Sequence, residues 1–557
     1  MALPEEELRE LMSAQLGIWY AQQLAPGNPA YNIAEYLDIR GDLDPGLFVA
    51  ALRQALDEAG TFRLRFRVEG TAPRQYVGPP REHPIHVVDV STAADPRAAA
   101  GEWMHADLNR PVNLLDEGPL FAHALIRLGQ DHHLWYQRAH HIILDGGSLA
   151  TFAARVADLY NAPRGTPTGK DSAPRPVSVL MEADHAYRTS ADADRDRRFW
   201  LDALADLPDT GGPARPEGRQ LPGRPLLHVT DLDPAEACGL RAAARRLGTG
   251  LAGLAISAAA LHHHRMTGTR DLVIGVPVNG RTTRQEFGIP GMTSNVLPIR
   301  LAIPRGTTVA QFLRGTSRAL RAALPHQRYQ YRDLLGDLHR VGGGSLWSLS
   351  VNVMSLDRPL RFGDCVAVRT GLSSGPAYEP KIDLYDKAGD GGLQLIVQLN
   401  PDRHDRAEGA EIARRFRTAL RALAAASPTE PVDRIDVLEA EERRRVLGEW
   451  GGGVGVGPVV CVPEVFGLRV VGGRDAVAVV DGCGVVTYGE LEVRADRLAR
   501  YLRGVGVGRG CVVALCLPRG VEMVVAMLGV WKAGAAYLPV DVELPAERIA
   551  FMLADSR

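Results

Sequence analysis

Hydrophobic and polar positions fall into runs of strand or helix length along most of the chain. The aromatic-rich run over residues 134–139 has the length of a strand and leads directly into two histidines, His140 and His141. Because neighbouring side chains on a strand point to opposite faces, only one of the two imidazoles can face a given cavity. We therefore predict that the pair lies at a strand end and that the two histidines have different roles.

Helical periodicity predicts an amphipathic helix over Ser13–Leu24, which Pro26 and Gly27 stop, and two further helices over residues 251–265 and 411–425. The predicted apolar stripe of the first helix is Leu16, Trp19, Tyr20 and Leu24. Strand-like and helical stretches alternate up to about residue 165, and residues 163–219 are rich in Pro, Asp and Arg. This composition predicts a polar bridge between two lobes, with a helix inside it.

Length, charge and cysteine content narrow the class of protein. A chain of 557 residues should divide into several lobes of about 100–200 residues each. A net charge of -2 gives no electrostatic basis for binding nucleic acid or an anionic membrane. The six cysteines lack a C-x-x-C pair, which argues against a disulfide framework or a zinc site. Because the sequence shows no signal peptide and no apolar stretch long enough to span a membrane, it predicts a cytoplasmic protein. The cysteines are Cys238, Cys365, Cys461, Cys483, Cys511 and Cys516.

Residues 140–146 carry the main candidate chemistry. A neutral imidazole, with an ordinary pKa of about 6.5, can accept or relay a proton near neutrality. Asp145 precedes Gly146 and Gly147, and we expect its carboxylate to turn inward toward a cation that fixes the loop. Taken alone, a histidine pair is more often a core or surface feature, but the complete H-H-x-x-x-D-G string favours an active site.

This string resembles the motif of nonribosomal peptide synthetase condensation domains, which belong with the chloramphenicol acetyltransferase-like acyltransferases. The opening Ala14-Gln15 to Trp19 is similar to the family's A-Q-x-x-x-W, with Met12 where its serine would be. Four further stretches follow in the family's order, and the resemblance covers roughly residues 8–440. They are G-V-P-V-N-G-R at 275–281, G-M-T-S-N-V-L-P at 291–298, His326-Gln327, and S-V-N-V-M at 350–354.

The chain departs from the family where many members carry R-H-E-x-L-R-T-x-F. Residues 58–66 read E-A-G-T-F-R-L-R-F, so the later half is kept and the basic first half is lost. This variant, like W-Y-Q-R at 135–138, resembles a subset that includes the enterobactin-type siderophore synthetases.

The resemblance implies an α/β (α+β) fold with two chloramphenicol acetyltransferase-like lobes in a V-shaped pseudodimer around a central tunnel. The lobes are expected over residues 1–170 and 171–430, followed by a linker over 431–456. Residues 457–557 resemble the opening of an adenylation domain, through V-T-Y-G-E-L at 486–491 and G-A-A-Y-L-P-V-D at 534–541. Because the sequence stops before the phosphate-holding loop, we expect this truncated part to be inactive in amino acid activation.

The implied reaction joins an acyl or peptidyl thioester on one carrier protein to the amine of an aminoacyl thioester on a second. His141 would orient the amine or take its proton, and backbone N–H groups near Gly146 and Gly147 would stabilise the carbonyl oxygen. His140 and Asp145 would be structural, with Asp145 paired to Arg281. Asn295 would line the channel or, equally well, cap a turn.

The same resemblance implies no metal and no cofactor of the protein's own, since phosphopantetheine arms of the partner carriers hold both substrates. The expected partners are donor and acceptor carrier proteins and the downstream adenylation domain of the same module, with the chain acting as a monomer. Starting at Met1 with no carrier domain ahead, the chain is expected to receive its donor from a separate carrier protein.

Several other functions compete with this one. An epimerization domain shares the histidine motif but usually follows a carrier domain, and a heterocyclization domain has aspartate in place of His140. A noncatalytic recruitment platform and a coenzyme A-dependent acyltransferase remain alternatives.

Three further features have modest predicted roles. Consecutive residues His262 to His264 on a helix cannot converge on one metal ion and predict a solvated helix end. Ser148 is expected to cap a helix rather than act as a nucleophile. The charged run at residues 195–198 predicts a solvated helix face.

Overall fold

The computed structural model describes residues 7–116, 118–162, 175–207, 222–339, 345–354, 359–387, 391–451, 460–482 and 484–556. The chain forms two compact units, residues 1–440 and 441–557. No helix within the described ranges is long and apolar enough to cross a membrane. The five described cysteines are free thiols, and Cys483 lies outside the described residues.

The first half of the first unit is built on a six-stranded sheet with helices packed against it. In order across this sheet, the strands are β12 (Leu360–Phe362), β13 (Cys365–Ser373), β2 (Asn32–Arg40), β7 (His132–His140), β6 (Phe121–Gly129) and β5 (Ile85–Asp89). A separate three-stranded sheet has the order β1 (Arg9–Glu10), β4 (Ala72–Val77) and β3 (Leu64–Glu69). The elements up to residue 203 are β1 (Arg9–Glu10), α1 (Ser13–Leu24), β2 (Asn32–Arg40), α2 (Pro45–Glu58), β3 (Leu64–Glu69), β4 (Ala72–Val77), β5 (Ile85–Asp89), α3 (Pro96–Leu108), β6 (Phe121–Gly129), β7 (His132–His140), α4 (Gly146–Asn161), α5 (Ser178–Arg188) and α6 (Ala191–Ala203).

A second six-stranded sheet, in the order β10-β9-β11-β14-β15-β8, forms the other half. Its interior strand β15 is mostly apolar and buried along its whole length, as expected for a strand covered on both faces. The elements from residue 226 to 444 are β8 (Leu226–Leu232), α7 (Pro234–Arg246), α8 (Leu251–Thr267), β9 (Asp271–Val278), α9 (Arg284–Phe287), β10 (Asn295–Ala302), α10 (Val309–Ala323), α11 (Tyr331–Asp337), β11 (Ser350–Met354), β12 (Leu360–Phe362), β13 (Cys365–Ser373), β14 (Lys381–Asp386), β15 (Leu393–Leu399), α12 (Arg406–Ala425) and α13 (Ala440–Arg444).

Between β11 and β14 the chain crosses from the second sheet to the first and back again. After β11, strands β12 and β13 join the first sheet, where β13 pairs antiparallel with β2, and the chain then returns to the second sheet at β14. This crossing places the segment between β13 and β14 beside the end of β7. It brings a part of the chain that is distant in sequence into contact with the histidine pair.

From residue 460 onward, the described part of the second unit contains two short sheets and four helices. Strands β16 and β17 pair antiparallel, whereas β18 and β19 pair parallel. The elements are α14 (Val462–Gly472), β16 (Val477–Asp481), β17 (Gly484–Thr487), α15 (Tyr488–Gly504), β18 (Val512–Leu515), α16 (Val521–Ala533), β19 (Ala536–Pro539) and α17 (Ala546–Asp555).

Helix predictions in the first unit are confirmed in position but not always in orientation. The helix over Ser13–Leu24 is present, but its predicted apolar stripe is wrong, because Tyr20 is 49% and Leu24 83% exposed. Polar Gln15 and Gln22 lie on the buried face instead, since both have buried hydrogen-bond partners. The predicted bridge contains α5 and α6. Residues 163–174 and 208–221, and residues 452–456 at the end of the predicted linker over 431–456, lie outside the described residues.

Candidate active site

The histidine pair lies at the end of β7, as predicted from the alternation of the strand. His140 is the last residue of β7, and the N–H of His141 donates to the Tyr31 carbonyl at 2.8 Å. Ile142, Ile143 and Leu144 are buried and form a turn that leads into α4. The turn therefore joins a strand end directly to a helix N-terminus.

The two ring nitrogens of His141 have different surroundings. Its Nδ1–H donates to the Leu144 carbonyl at 2.9 Å, which fixes the tautomer and leaves the lone pair on Nε2. Among the described residues, no side chain or backbone group hydrogen-bonds Nε2. Burial lowers the pKa of the ring, and the charge of Lys381 lowers it further, while Asp145 raises it. The imidazole is therefore neutral near pH 7 and able to accept a proton at Nε2.

His140 is buried and fully bonded. Its Nε2–H donates to Gln22 Oε1 at 3.1 Å, and its Nδ1 accepts from the Ile142 N–H at 3.2 Å. Burial, reinforced by the neighbouring His141 and Arg138, lowers the pKa of His140 to about 3. With both nitrogens occupied and only 1% of its surface exposed, this ring holds the turn together and does not reach a substrate.

Asp145 and Arg281 form a buried ion pair between the two halves of the unit. Arg281 Nη1 lies 2.9 Å from Asp145 Oδ2, and the two side chains are 4% and 2% exposed. The second terminal nitrogen of the guanidinium, Nη2, donates to Ser148 Oγ and to the carbonyls of Ile289 and Gly291. Asp145 also caps α4 by accepting from the Ser148 N–H at 2.8 Å. The pair thus fixes the start of α4 against the loop that follows β9.

Gly146 and Gly147 begin α4 and supply N–H groups close in sequence to the imidazole. The first N–H groups of a helix have no intrahelical acceptor. Within the described ranges, neither glycine N–H has an acceptor from elsewhere. Together with the positive end of the helix dipole, they form a local site for negative charge.

Asn295 holds a turn of the backbone. Its Nδ2 donates to the carbonyls of Gln327 and Tyr329, at 3.0 and 2.7 Å, and its Oδ1 accepts from the Tyr331 N–H at 3.0 Å. With this amide occupied and the residue 6% exposed, its hydrogen bonds match the second of the two roles considered for it, the turn cap.

Two polar side chains that the sequence analysis did not single out hold the turn after His141. Gln15 Nε2 donates to the Ile142 carbonyl, and Thr61 Oγ1 donates to the Ile143 carbonyl, each at 3.0 Å. Gln15 was visible only as part of the resemblance to A-Q-x-x-x-W, and Thr61 only as part of the altered stretch at 58–66. Apart from these motifs, the local sequence offered one further indication for Gln15, its position between the apolar residues Ala14 and Leu16.

Two predictions about nearby polar residues are wrong, and a third is confirmed except at one residue. Asp145, not Ser148, caps α4, and Ser148 Oγ instead bonds Arg281 and the Gly291 backbone. His264 is not solvated, because its ring bonds the Thr269 carbonyl and Asp433 and is 4% exposed. The charged run of α6 is solvated as predicted at Arg195 and Arg197, whose side chains are 53% and 49% exposed, but Asp196 is 1% exposed and bonds His326 and Tyr187. Among the residues that the structure describes, no group of His, Cys, Asp or Glu is arranged to hold a metal ion.

Comparisons with known proteins agree with this geometry. Residues 5–447 match the condensation domain family, and residues 469–557 match the AMP-binding enzyme family. A dimodular nonribosomal peptide synthase of Bacillus subtilis (strain 168) is 36% identical over 548 residues, covering 98% of this chain and 23% of its own length. An isonitrile lipopeptide synthase of Streptomyces coeruleorubidus is 37% identical over 555 residues, covering 99% of this chain and 37% of its own length. The chain therefore spans well under half of these curated relatives.

Solved condensation domains share the fold. A mutant starter condensation domain of rhizomide synthetase, in complex with C8-CoA and Leu-SNAC, superposes with a TM-score of 0.71 at 36% identity. The match covers 78% of this chain and 98% of that domain. The chloramphenicol acetyltransferase-like fold is thereby confirmed. The chain belongs to the condensation domain family of nonribosomal peptide synthetases, which are amide-forming acyltransferases, and it continues into a short AMP-binding part.

Proposed function

We propose that the first unit joins an acyl or peptidyl thioester, carried by one carrier protein, to the amine of an aminoacyl thioester on a second carrier protein. The observation that carries this proposal is the state of His141: its Nδ1–H is fixed on the Leu144 carbonyl, and its Nε2 accepts no hydrogen bond from the described residues. Such a ring can accept one proton at one defined atom. The rhizomide relative, whose structure contains C8-CoA and Leu-SNAC, supports an acyl donor and an amino acid acceptor.

The reaction requires two contributions from the protein, the positioning of the two substrates and one proton acceptor. A thioester is already activated and a neutral amine is already a nucleophile, so holding the two together accounts for much of the acceleration. As the new C–N bond forms, the nitrogen becomes positively charged and must lose a proton, which Nε2 of His141 accepts. Collapse of the tetrahedral intermediate then breaks the C–S bond, and the leaving sulfur takes the proton from Nε2 of His141 and departs as the donor thiol, which returns the ring to its neutral form; no acyl-enzyme forms.

Negative charge develops on the donor carbonyl oxygen in the same step. The N–H groups of Gly146 and Gly147 have no other acceptor among the described residues, and a short bonded turn connects them to His141. They are the donors that we assign to this oxygen. His140, Asp145 and Arg281 would act by holding this turn, and Asn295 by holding the loop at 327–331.

Phosphopantetheine arms would present both substrates, so the chain needs no cofactor of its own. We further propose that it works as a monomer beside the adenylation domain of its own module, in the cytoplasm. The lobe boundaries at 170 and 430 and the linker at 431–456 stay predictions. The AMP-binding part, residues 469–557, is a short match to its family and would not activate an amino acid alone.

A substrate comparison tests this function against its two alternatives. The purified chain is given the same aryl, fatty acyl or aminoacyl donor either on a carrier protein or as a coenzyme A thioester, with an aminoacyl carrier as acceptor. The proposal predicts faster amide formation from the carrier-bound donor. Equal or better use of the coenzyme A thioester would favour a coenzyme A-dependent acyltransferase, and carrier binding without turnover would favour a recruitment platform.

A further inference from the structure

The segment that returns from β13 to β14 touches the imidazole of His141. Gly375 has φ +98°, and a Cβ at this position would lie 3.0 Å from Cδ2 and 3.6 Å from Nε2 of His141. Only glycine combines this backbone conformation with so close an approach. The backbone at Gly375 thus packs along the ring edge that carries the Nε2 lone pair.

Lys381 fastens this segment from its far end. It is the first residue of β14, its side chain is 15% exposed, and its Nζ donates to Ser374 Oγ at 2.6 Å and to the Ser374 carbonyl at 3.4 Å. Ser374 directly precedes Gly375. The ammonium group therefore closes the Ser374–Lys381 segment into a loop whose start lies on His141.

The carboxylate nearest to Lys381 has other partners. Asp383 Oδ1 lies 3.8 Å from Lys381 Nζ, and Asp383 also accepts from Asn352 Nδ2 at 2.9 Å and from Gln398 Nε2. Asp383 is completely buried. The carboxylate is shared with these two amide donors and with the Ser374 hydroxyl, which donates to Oδ2 at 3.5 Å. Since it also lies beyond direct hydrogen-bond distance of the ammonium group, it offsets the lysine charge only in part.

We propose that Lys381 is a positioning residue for the condensation reaction: it holds the Ser374–Gly375 turn against His141 and places a fixed positive charge beside the ring that must accept the amine proton. The inference rests on the proposed role of His141. It adds a residue from the second sheet to a site otherwise built on the end of β7 and the start of α4.

The charges around His141 give this arrangement a measurable signature. Burial lowers the pKa of His141, Asp145 at the start of α4 raises it, and Lys381 on β14 lowers it. The neighbouring His140 is neutral, and the Tyr31 hydroxyl, which lies 3.3 Å from the Tyr378 hydroxyl, has its pKa raised by burial and stays protonated. Removing the Lys381 charge therefore raises the pKa of His141 and moves the acidic limb of the rate profile to higher pH.

The test compares Lys381→Met with Lys381→Arg. Amide formation is measured with preloaded carriers between about pH 4.5 and pH 8, because the pKa of His141 lies below the ordinary imidazole value of about 6.5. For Lys381→Met we expect the acidic limb to move up by about 0.5–1 pH unit, the effect of one nearby, partly offset charge. Lys381→Arg keeps the charge and should keep the limb in place, even if the different head group slows the reaction at every pH.

Lys387→Met is the matched control. Lys387 follows the other end of β14, is 13% exposed and pairs with Asp231 at 2.8 Å, so its replacement removes a similar ion pair away from His141. The acidic limb of this variant should coincide with that of the unmodified protein. Parallel titration of ¹³C-labelled histidine by NMR, with His141 assigned by its loss in His141→Ala, reads the pKa without any turnover.

The outcomes separate this inference from the function beneath it. If His141→Ala abolishes transfer but Lys381→Met changes neither the limb nor the His141 titration, Lys381 has no positioning role and the proposed function stands. If His141→Ala retains full transfer, the proposed role of His141 fails, and the inference fails with it. A uniform loss of rate in both Lys381 variants, with an unshifted titration, would also overturn the inference.

Discussion

Replacing either partner of the Asp145–Arg281 pair should destabilise the first unit strongly. Asp145→Asn keeps an N-cap oxygen for α4 but removes the carboxylate charge, and Arg281→Met removes the guanidinium while keeping an apolar stem. In each variant one charged or polar partner stays behind at a site that is at most 4% exposed. The two substitutions remove different sets of hydrogen bonds, so comparing them separates the effect of the charge from that of the hydrogen bonds.

The structure sets the scale of the effect. Leaving one member of a buried ion pair uncompensated costs about 3–5 kcal/mol. Arg281→Met also leaves the Ile289 carbonyl without this donor, whereas the Ser148 hydroxyl and the Gly291 carbonyl still bond each other. Each buried polar group without a partner costs about 1–3 kcal/mol, so we expect the Arg281 variant to be the less stable of the two. For Asp145→Asn we expect a loss of unfolding free energy near the lower end of the range of about 3–5 kcal/mol.

Urea unfolding of the first unit, followed by tryptophan fluorescence, measures these losses. The control is Arg127→Met, which breaks the exposed Arg127–Asp89 pair, 48% and 52% exposed, and should change the free energy of unfolding far less than either substitution in the buried pair. The double variant Asp145→Asn/Arg281→Met should lose clearly less than the sum of the single losses, because it leaves no unpaired charge. Single losses as small as the control, or losses that simply add, would refute the assignment of a coupled buried pair.

Three other substitutions test neighbouring features. Gly280→Ala places a Cβ 1.9 Å from the Thr293 carbonyl oxygen at φ +69°, and we expect it to lower the free energy of unfolding in urea by at least about 2 kcal/mol. The control Gly268→Ala has a similar φ of +75° but open space around its Cβ, and should lower it by only about 1 kcal/mol. Equal losses in the two variants would contradict the close contact at Gly280. His140 has its pKa lowered by burial to about 3, so the unfolded chain binds its proton first, and stability is lost as pH falls below about 6.5 toward 3. His140→Gln should therefore reduce the difference in unfolding free energy between pH 7 and pH 5 by about 2 kcal/mol. The contribution of His123, whose pKa burial also lowers to about 3, should stay in the variant. An unchanged difference between the two pH values would contradict the assigned role of His140. Lys381→Met should raise the acidic limb of the rate profile and Lys381→Arg should not, because only the first removes the charge beside His141.

The local sequence was sufficient to place the histidine pair but not to supply its surroundings. Alternation along residues 132–140 and the turn residues after them predicted a strand end followed by a helix, and the structure has both. Because alternation puts adjacent side chains on opposite faces, the different environments of His140 and His141 also followed. The Asp145–Arg281 contact came from family resemblance alone, since 136 residues separate the partners.

Interactions made across the fold left no local signal. Gln15 and Thr61 bond adjacent carbonyls of one turn from elements far apart in sequence, and the predicted apolar stripe of α1 did not include Gln15. The predicted stripe is wrong because Gln15 and Gln22, which make buried hydrogen bonds, lie on the buried face of α1, whereas Tyr20 and Leu24 are exposed. The exchange of β12 and β13 between sheets, which delivers Gly375 to His141, likewise depends on long-range pairing.

Intact-protein mass spectrometry of two carrier proteins tests the central claim most directly. One carrier is loaded with a donor acyl group and the other with an aminoacyl group, and both are mixed with the unmodified chain or with His141→Ala, shown by urea unfolding to be folded. We predict that the donor mass moves onto the acceptor carrier with the unmodified chain and stays on the donor carrier with His141→Ala. Transfer at the same rate by both proteins would contradict the account, because Nε2 of His141 would then have no part in forming the amide.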